Sequence, residues 1–278
     1  MKKLIMAVEG ERKRFALLKE AFENKGFSVK LLPVRRLTLF TDMSGSKIKV
    51  QGNGVFSGPV YLETPFMLTQ FVEPLLDYIE TKGFYCQVHK GAYYVGSNEL
   101  LQISLLSSYG IKIPYTRIFG NIEQIIKSKQ KFSYPVVVKV YKNGEKIQSM
   151  VAKSAEALTS LTERIEGDAA VVSEFIEGDI DHCAVIGDEV FTLRSTTPDP
   201  KKARLMKNAV NVKLSKTEEE TAIQAASICG CDIATVKMCR GFVTRVKPHV
   251  NMVLFSKKTG KNLFEKTAEL FYRKSGGA

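Results

Sequence analysis

Three cations pose the first chemical question. Ile233–Cys239 and Phe242–Pro248 are runs rich in β-branched and apolar residues joined through Arg240-Gly241, the pattern of a β-hairpin. A connection of odd length, centred on Arg240-Gly241-Phe242, sets Lys237 directly across from Arg245. Period-two alternation adds Lys247 to the same face. Like charges opposite one another repel, so an ordinary sheet avoids the arrangement. A merely solvated face is the plain alternative, since surface Lys and Arg usually are solvated. Two features count against it. The charges are flanked by Val236, Val246 and Phe242, as on a strand with one buried face, and no Asp or Glu occurs from Ile233 to Phe264. The expected chemistry is anion binding: Lys and Arg are donors with no lone pair for a metal, and Arg grips a phosphate through two parallel bonds.

The chain around this hairpin has 278 residues, enough for two small domains or one large one. Its formal charge of +12 points to polyanionic partners such as nucleotides, nucleic acid or acidic peptides. Five cysteines without a C-x-x-C pair fit reduced thiols and a cytoplasmic setting better than a disulfide framework. His89, His182 and His249 are far apart in sequence, which argues against a structural zinc site. Leu4–Val8 is too short for a signal peptide, and no apolar run reaches membrane-spanning length, so no membrane association is expected.

The elements that must position the cations follow from the patterning. Lys3–Val8, a helix over Glu11–Asn24 closed by Gly26, and Phe27–Pro33 form a βαβ opening. Strands are expected at Lys47–Val50, Val55–Leu62 and Phe84–Val88, with helices at Pro65–Thr81 and from Ser97 to Tyr109. Beyond Pro114 come short strands and helices: Thr116–Phe119, Asn121–Lys127, Tyr134–Tyr141, Ile147–Ala152, Ser154–Arg164 and Ala169–Phe175. Strands Asp181–Ile186 and Glu189–Arg194, a helix over Thr217–Cys229, the hairpin and a helix over Asn262–Tyr272 complete the reading. A lysine at 139, closing the apolar run Pro135–Val138, stands out as a strand-end cation with a task.

The order of these pieces resembles the ATP-grasp superfamily, and within it the RimK-type ligases. The resemblance is carried by Ser97-Asn-Glu-Leu-Leu-Gln with Gly110–Thr116, Tyr134–Lys139, Val171–Ile176, Val185–Val190, Gly230–Lys237 and Thr259–Leu263. It implies an α/β and α+β architecture: an N-terminal α/β (pre-ATP-grasp) domain over 1–96, a linker helix over 97–111, and two lobes, 112–178 and 179–278, around a cleft. By the same resemblance Lys139 would hold phosphates, the backbone of Glu174-Phe175-Ile176 would read adenine, and Asp179 or Asp181 would reach the ribose. Arg194 approximates a substrate or phosphate arginine. The family chemistry, activation of a carboxylate by ATP and attack by an amine, relies on metal ions.

The departures bear on activity. Positions that the family pattern gives to magnesium ligands read Lys237, Arg245 and Lys247, and magnesium wants carboxylate oxygens. Asn98-Glu99 stands where the family has Asp-Lys, so a phosphate lysine is replaced by an acid expected to repel phosphate. The stretch Val140–Met150 keeps Gly144 alone of a glycine-rich flap. His249 and Asn251 lie just beyond the hairpin, with no carboxylate beside them in sequence. The expectation is a pseudoenzyme that binds ATP, another nucleotide or a phosphate ligand without magnesium, with a possible protein partner. One alternative is an active carboxylate–amine ligase with an unusual metal site. Another is a nucleic-acid-binding protein with Lys201, Lys202, Arg204, Lys207, Lys257, Lys258 and Lys261 as its footprint.

Overall fold

The computed structural model describes residues 2–10, 15–42, 45–50, 53–55, 57–163, 165–196 and 208–276. Lys201, Lys202, Arg204 and Lys207, and the first residues of the helix expected from Glu11, lie outside them.

The βαβ opening forms β1 (Lys2–Val8), α1 (Ala16–Asn24) and β2 (Phe27–Pro33). A small antiparallel sheet follows, β3 (Leu37–Asp42), β4 (Gly45–Val50) and β5 (Asn53–Val55). β6 (Val60–Glu63) then returns to pair with β1, giving a parallel sheet in the order β2-β1-β6. Helices α2 (Thr69–Thr81), α3 (Ala92–Ser97) and α4 (Glu99–Ser108) lead to the lobes. Phe84–Val88, expected as a strand, makes only isolated bridges, Val60 to Cys86 and Val88 to Cys231. A side chain stands in for the missing ladder: the buried Gln87 amide donates to the Leu62 carbonyl at 2.6 Å and accepts from its amide at 3.1 Å. The segment thereby becomes a seam to the large lobe, where the amides of His89 and Asp232 bond to the carbonyls of Gly230 and Gln87.

The small lobe comprises β7 (Thr116–Phe119), α5 (Glu123–Ser128), β8 (Val136–Lys142), β9 (Glu145–Ala152), α6 (Ala155–Thr162) and β10 (Ala169–Glu174), with sheet order β7-β10-β8-β9. Ser154 caps α6 through its side chain. The large lobe holds β11 (Ile180–Ile186), β12 (Glu189–Ser195), β13 (Val210–Val212), α7 (Lys216–Ile228), β14 (Ile233–Cys239), β15 (Phe242–Lys247), α8 (Met252–Thr259) and α9 (Leu263–Lys274). Its sheet runs β13-β12-β11-β14-β15, antiparallel throughout. The sequence reading missed α8, although Asn251 caps its start and Gly260 (φ +69°) closes it.

Packing divides the molecule unevenly. One apolar cluster contains Ile5, Ala7 and Leu62 of the first sheet together with Cys183, Val185, Val236 and Ala225 of the large lobe. A second joins Phe22 and Phe27 to Phe255, Phe264 and Phe271. The N-terminal unit and the large lobe therefore share cores. The small lobe buries its own, around Val136, Val138, Leu158 and Val172. A lobe with a separate core can move as a body, so whatever ties it to the rest sets the cleft. All five cysteines are buried and unpaired. Among the described residues no helix is long and apolar enough to cross a membrane.

Candidate functional site: a cation cluster at the end of an apolar cleft

The hairpin places its cations with the expected register but by a different device. Arg240 (φ +49°) and Gly241 (φ +76°) form a two-residue turn with both central residues left-handed, and Cys239 pairs with Phe242. An even connection alone would misalign the pair. A bulge corrects it: Met238 pairs with Val243 and Lys237 with Arg245, leaving Thr244 over. The Thr244 hydroxyl donates to the Lys237 carbonyl at 3.2 Å. Lys247 pairs with Thr235, two residues along.

Paired residues of adjacent strands share a sheet face, which sorts the candidates. His182 pairs with Lys237, so His182, Lys237 and Arg245 lie on one face. Asp181 pairs with both Met238 and Arg194, on the face that packs against α7 through Cys183 and Val236. There Arg194 grips Asp181 bidentately, Nε to Oδ1 at 2.7 Å and Nη2 to Oδ2 at 3.0 Å. The two side chains expected to serve ribose and phosphate are thus engaged with each other, across the sheet from the cations.

The acid expected to repel phosphate is the hub of the site. Glu99 opens α4, with Asn98 as the cap, so its charge sits at the positive end of the helix. Its carboxylate pairs with Lys139 of β8 through Oε1, with Lys146 of β9 at 3.4 Å, and with Arg245 Nη1 at 3.7 Å. Glu99 is 8% exposed, and burial alone would raise its pKa. The Lys139 charge and hydrogen bond outweigh this, with Lys146 and Arg245 adding to them, and hold it down at about 2. Arg245 Nη2 also donates to the Gly96 carbonyl at 2.7 Å. A Cβ on Gly96 would lie 2.9 Å from the Phe66 ring, so the backbone there fits only glycine without a shift. One turn along α4, Gln102 donates to the Val246 carbonyl at 3.0 Å and accepts from its amide at 2.9 Å. α4 therefore clamps the edge strand that carries Arg245.

Tyr141 completes the cluster. It shares the Lys139 face of β8 and pairs across the ladder with Lys146, where a bulge shifts the register. Its phenol is pushed up by burial and by the adjacent Glu99 charge. His182 is buried, 3.3 Å from the Ser195 hydroxyl. Burial, then the charges of Lys237 and Lys247, lower its pKa to about 4, so the imidazole is neutral near pH 7.

Beside the cluster lies an apolar cleft of about 200 Å³. Its walls come from α4 (Ile103, Leu106), the small lobe (Val137, Lys139), the connection through Phe175 and Ile176, and the hairpin (Val243). Glu174 also lines it. The amides of Glu174 and Phe175 donate to the carbonyls of Tyr115 and Pro135. Ile176 keeps the amide of this trio that has no protein acceptor among the described residues. Lys139 belongs to both regions. The structure thus brings Lys139, Glu174, Phe175 and Ile176 to one cleft and Arg245 to its charged end, with Lys237 across the ladder from Arg245 and Lys247 two residues further along. It leaves Asp181 and Arg194 out. The sequence reading missed Tyr141 and Lys146 as members and did not see that Glu99 holds the cluster together.

Lys237, Arg245 and Lys247 offer a magnesium ion no lone pair. Among the described residues there is no group of three or more His, Cys, Asp or Glu able to hold a metal. The oxygens of the one carboxylate at the cluster, Glu99, already face Lys139, Lys146 and Arg245. A carboxylate does reach His249 and Asn251 from afar: Glu63 of β6 lines a second cavity with them. The Glu63 carboxylate accepts from Tyr61 at 2.8 Å, and the Asn251 side chain is spent on the Leu254 amide.

Comparisons with known proteins agree with this fold. A family model described as a RimK-like ATP-grasp domain matches residues 96–270. A probable alpha-L-glutamate ligase of Psychromonas ingrahamii is 32% identical over 182 residues, 60% of this chain and 60% of the relative. One of Aliivibrio fischeri is 26% identical over 93% of both chains. Among solved structures, a RiPP-associated ATP-grasp ligase of Chryseobacterium gregarium, in complex with ADP and a leader and core peptide, superposes with a TM-score of 0.72 at 14% identity. That match covers 99% of this chain and 97% of the neighbour. With its separate sheets, its cleft between lobes and a family match spanning most of its length, the chain belongs to the RimK-like ATP-grasp family.

Proposed function

We propose that this protein binds a nucleotide, or another ligand with an apolar ring and a phosphate tail, without magnesium and without ligase turnover. The observation that carries the reading is the position of Lys139. It lines the apolar cleft and also pairs with Glu99, so a ring-sized slot abuts a concentrated set of phosphate-binding donors. The base would lie against Val137, Leu106 and Val243, within reach of the Ile176 amide. The phosphates would point past Lys139 towards Arg245, Lys237 and Lys247.

Binding and turnover separate on physical grounds. Cations placed in the protein hold a phosphate tail as charge partners. In-line transfer of a phosphoryl group to a carboxylate also needs metal ions to neutralise charge developing on attacking and leaving oxygens. The cluster offers no ligands for them. Relatives named as glutamate ligases and a neighbour holding ADP and a peptide supply the ancestral context, and support a search for a peptide or protein partner. Four of the seven footprint residues of the nucleic-acid reading lie outside the described residues.

The test is release of ADP or phosphate by the pure protein with glutamate and candidate carboxylate or peptide substrates, beside calorimetric titration of ATP and ADP in chelator. Nucleotide binding without sustained turnover supports the proposal. Turnover that disappears with chelator overturns it.

A further inference from the structure

Four donor side chains converge on the Glu99 carboxylate, and two of their donor atoms have no hydrogen-bond partner. Lys139 and Lys146 reach it as charged partners. Arg245 Nη1 stands 3.7 Å away, an ion pair too long to be a hydrogen bond, and this nitrogen is buried with no hydrogen-bond partner. The Tyr141 hydroxyl, buried beside Glu99 and feeling its charge, also lacks a partner of good hydrogen-bond geometry. Interiors rarely leave such groups unpaired, and a native exception points to something that completes it. Here both exceptions converge on one carboxylate.

We infer that Glu99 is a tethered stand-in for a phosphoryl group, and that Lys139, Tyr141, Lys146 and Arg245 form a phosphate site that a ligand enters by displacing the Glu99 carboxylate. This rests on the reading of the cleft as a phosphate-ligand site and adds how that site is occupied and opened. The donors come from β8, β9 and β15, whereas the anion comes from α4. Removing the carboxylate therefore leaves a preformed ring of donors from both lobes. A phosphoryl group carries more charge than a carboxylate and presents three oxygens, enough to reach Tyr141 and Arg245 Nη1 as well.

Competition follows from the tether. A side chain held next to its partners acts at a high effective concentration, so a free anion binds more weakly than the donors alone would allow. A single phosphate competes poorly. A chain of phosphates competes better, because Lys237, across the ladder from Arg245, and Lys247, two residues further, add positive charge to the same face. The inference thus selects di- and triphosphates over monophosphates. It also makes Glu99 the residue that sets affinity, by keeping the site filled.

The experiment titrates ADP and inorganic tripolyphosphate, in chelator, into the wild type, Glu99→Gln and Glu99→Asp. Glu99→Gln removes the competing charge and is expected to tighten both ligands by about tenfold or more, the scale on which buried charge pairs alter affinity. Glu99→Asp keeps the charge but is one methylene shorter, so it fits the donors less well and should tighten both by an intermediate factor. Should Glu99→Gln fail to fold, Glu99→Asp against the wild type decides. Equal or weaker binding by the folded variants, with the wild type binding, overturns the inference and leaves the nucleotide reading standing. No binding by any folded form overturns both.

Discussion

Glu99 and Arg245 meet at 3.7 Å across the joint between the first turn of α4 and the edge strand β15. The same carboxylate reaches Lys139 and Lys146 of the small lobe, whose core is otherwise its own. One side chain therefore ties three structural units together. Truncating it would leave Lys139, Lys146 and Arg245 facing one another. Glu99→Ala should destabilise the protein by about 2–4 kcal/mol, since removing one partner of a buried charge cluster strands the others. Urea unfolding measures it. A loss within error of zero would mean that the cluster contributes nothing net.

The same residue predicts acid sensitivity. The Glu99 pKa is lowered to about 2 in the folded state, from an ordinary value of 4.5. A depressed carboxyl contributes stability that is complete above its unfolded pKa and is lost as pH falls towards the folded value. Wild type should therefore lose stability between about pH 4.5 and 2 more steeply than Glu99→Gln. Parallel pH profiles for the two would contradict the assignment.

His182 gives a reading of occupancy. Its pKa is near 4 because it is buried beside Lys237 and Lys247. A polyanion over those lysines would neutralise their field and raise it, so binding near pH 5 should take up a proton. Calorimetry in buffers of differing ionisation heat detects the uptake, and His182→Asn should remove it. In the unliganded protein the depressed histidine works against folding in acid: its contribution is complete above about pH 6.5 and is lost as pH falls towards 4.

Much of this site was legible in the sequence, and what was not has identifiable causes. The facing of Lys237 and Arg245 followed from alternation and parity, yet the residue that restores the parity, Thr244, gives no sign in sequence of being a bulge. The separation of Asp181 from Lys237 was also implicit in alternation, because Asp181 sits beside Met238 rather than Lys237. It went unread because the resemblance assigned roles by position and not by sheet face. Glu99 was read as a repulsive charge because its three partners lie on β8, β9 and β15, contacts that only the folded chain creates. Gln87, acting in place of a strand residue, left Phe84–Val88 looking like a strand in pattern alone.

The Asp181–Arg194 pair offers a direct check on that sheet-face argument. Arg194→Ala leaves a 3% exposed Asp181 without its bidentate partner and should cost about 1–3 kcal/mol. It should leave nucleotide affinity within about twofold, because additivity holds for sites with no shared partners. Thermal midpoints and calorimetry measure the two effects. A tenfold loss of affinity would return Arg194 to the ligand site.

The seam between the N-terminal unit and the large lobe should weaken in base. His89 Nε2 lies 3.3 Å from Asp232, and Glu80 is 3.8 Å from Nδ1. The hydrogen bond to Asp232 raises the His89 pKa above 6.5, against the opposing effect of burial. A raised histidine contributes stability that is complete below the unfolded pKa and is lost as pH rises through the folded one. The side chain is 46% exposed, so the effect should stay below about 1 kcal/mol. Wild type should lose slightly more stability than His89→Leu as pH rises from about 6 to 8.

The last prediction reverses the charges of the cluster. On the proposed reading, an acid stands on α4 where the family resemblance implies a lysine, and cations stand on the hairpin where it implies metal ligands. The two changes compensate: Glu99 can pair with Arg245, as a lysine at 99 could pair with a glutamate at 245. The quadruple variant Glu99→Lys, Lys237→Asp, Arg245→Glu and Lys247→Asn keeps the 99–245 attraction with its sign exchanged, while the cation at 99 then faces Lys139 and Lys146, so the variant should fold with reduced stability. It also supplies two carboxylates and an amide oxygen on one face of β14 and β15, donors that suit magnesium. ATP binding by the wild type should be indifferent to magnesium and chelator, because fixed cations occupy that face. In the variant ATP should bind about tenfold or more tightly with magnesium than without, since the carboxylates repel a bare polyphosphate and the metal bridges the two. Titrations of ATP with and without magnesium on both proteins make the measurement. A folded variant indifferent to magnesium would show that the hairpin face is not where the phosphates lie.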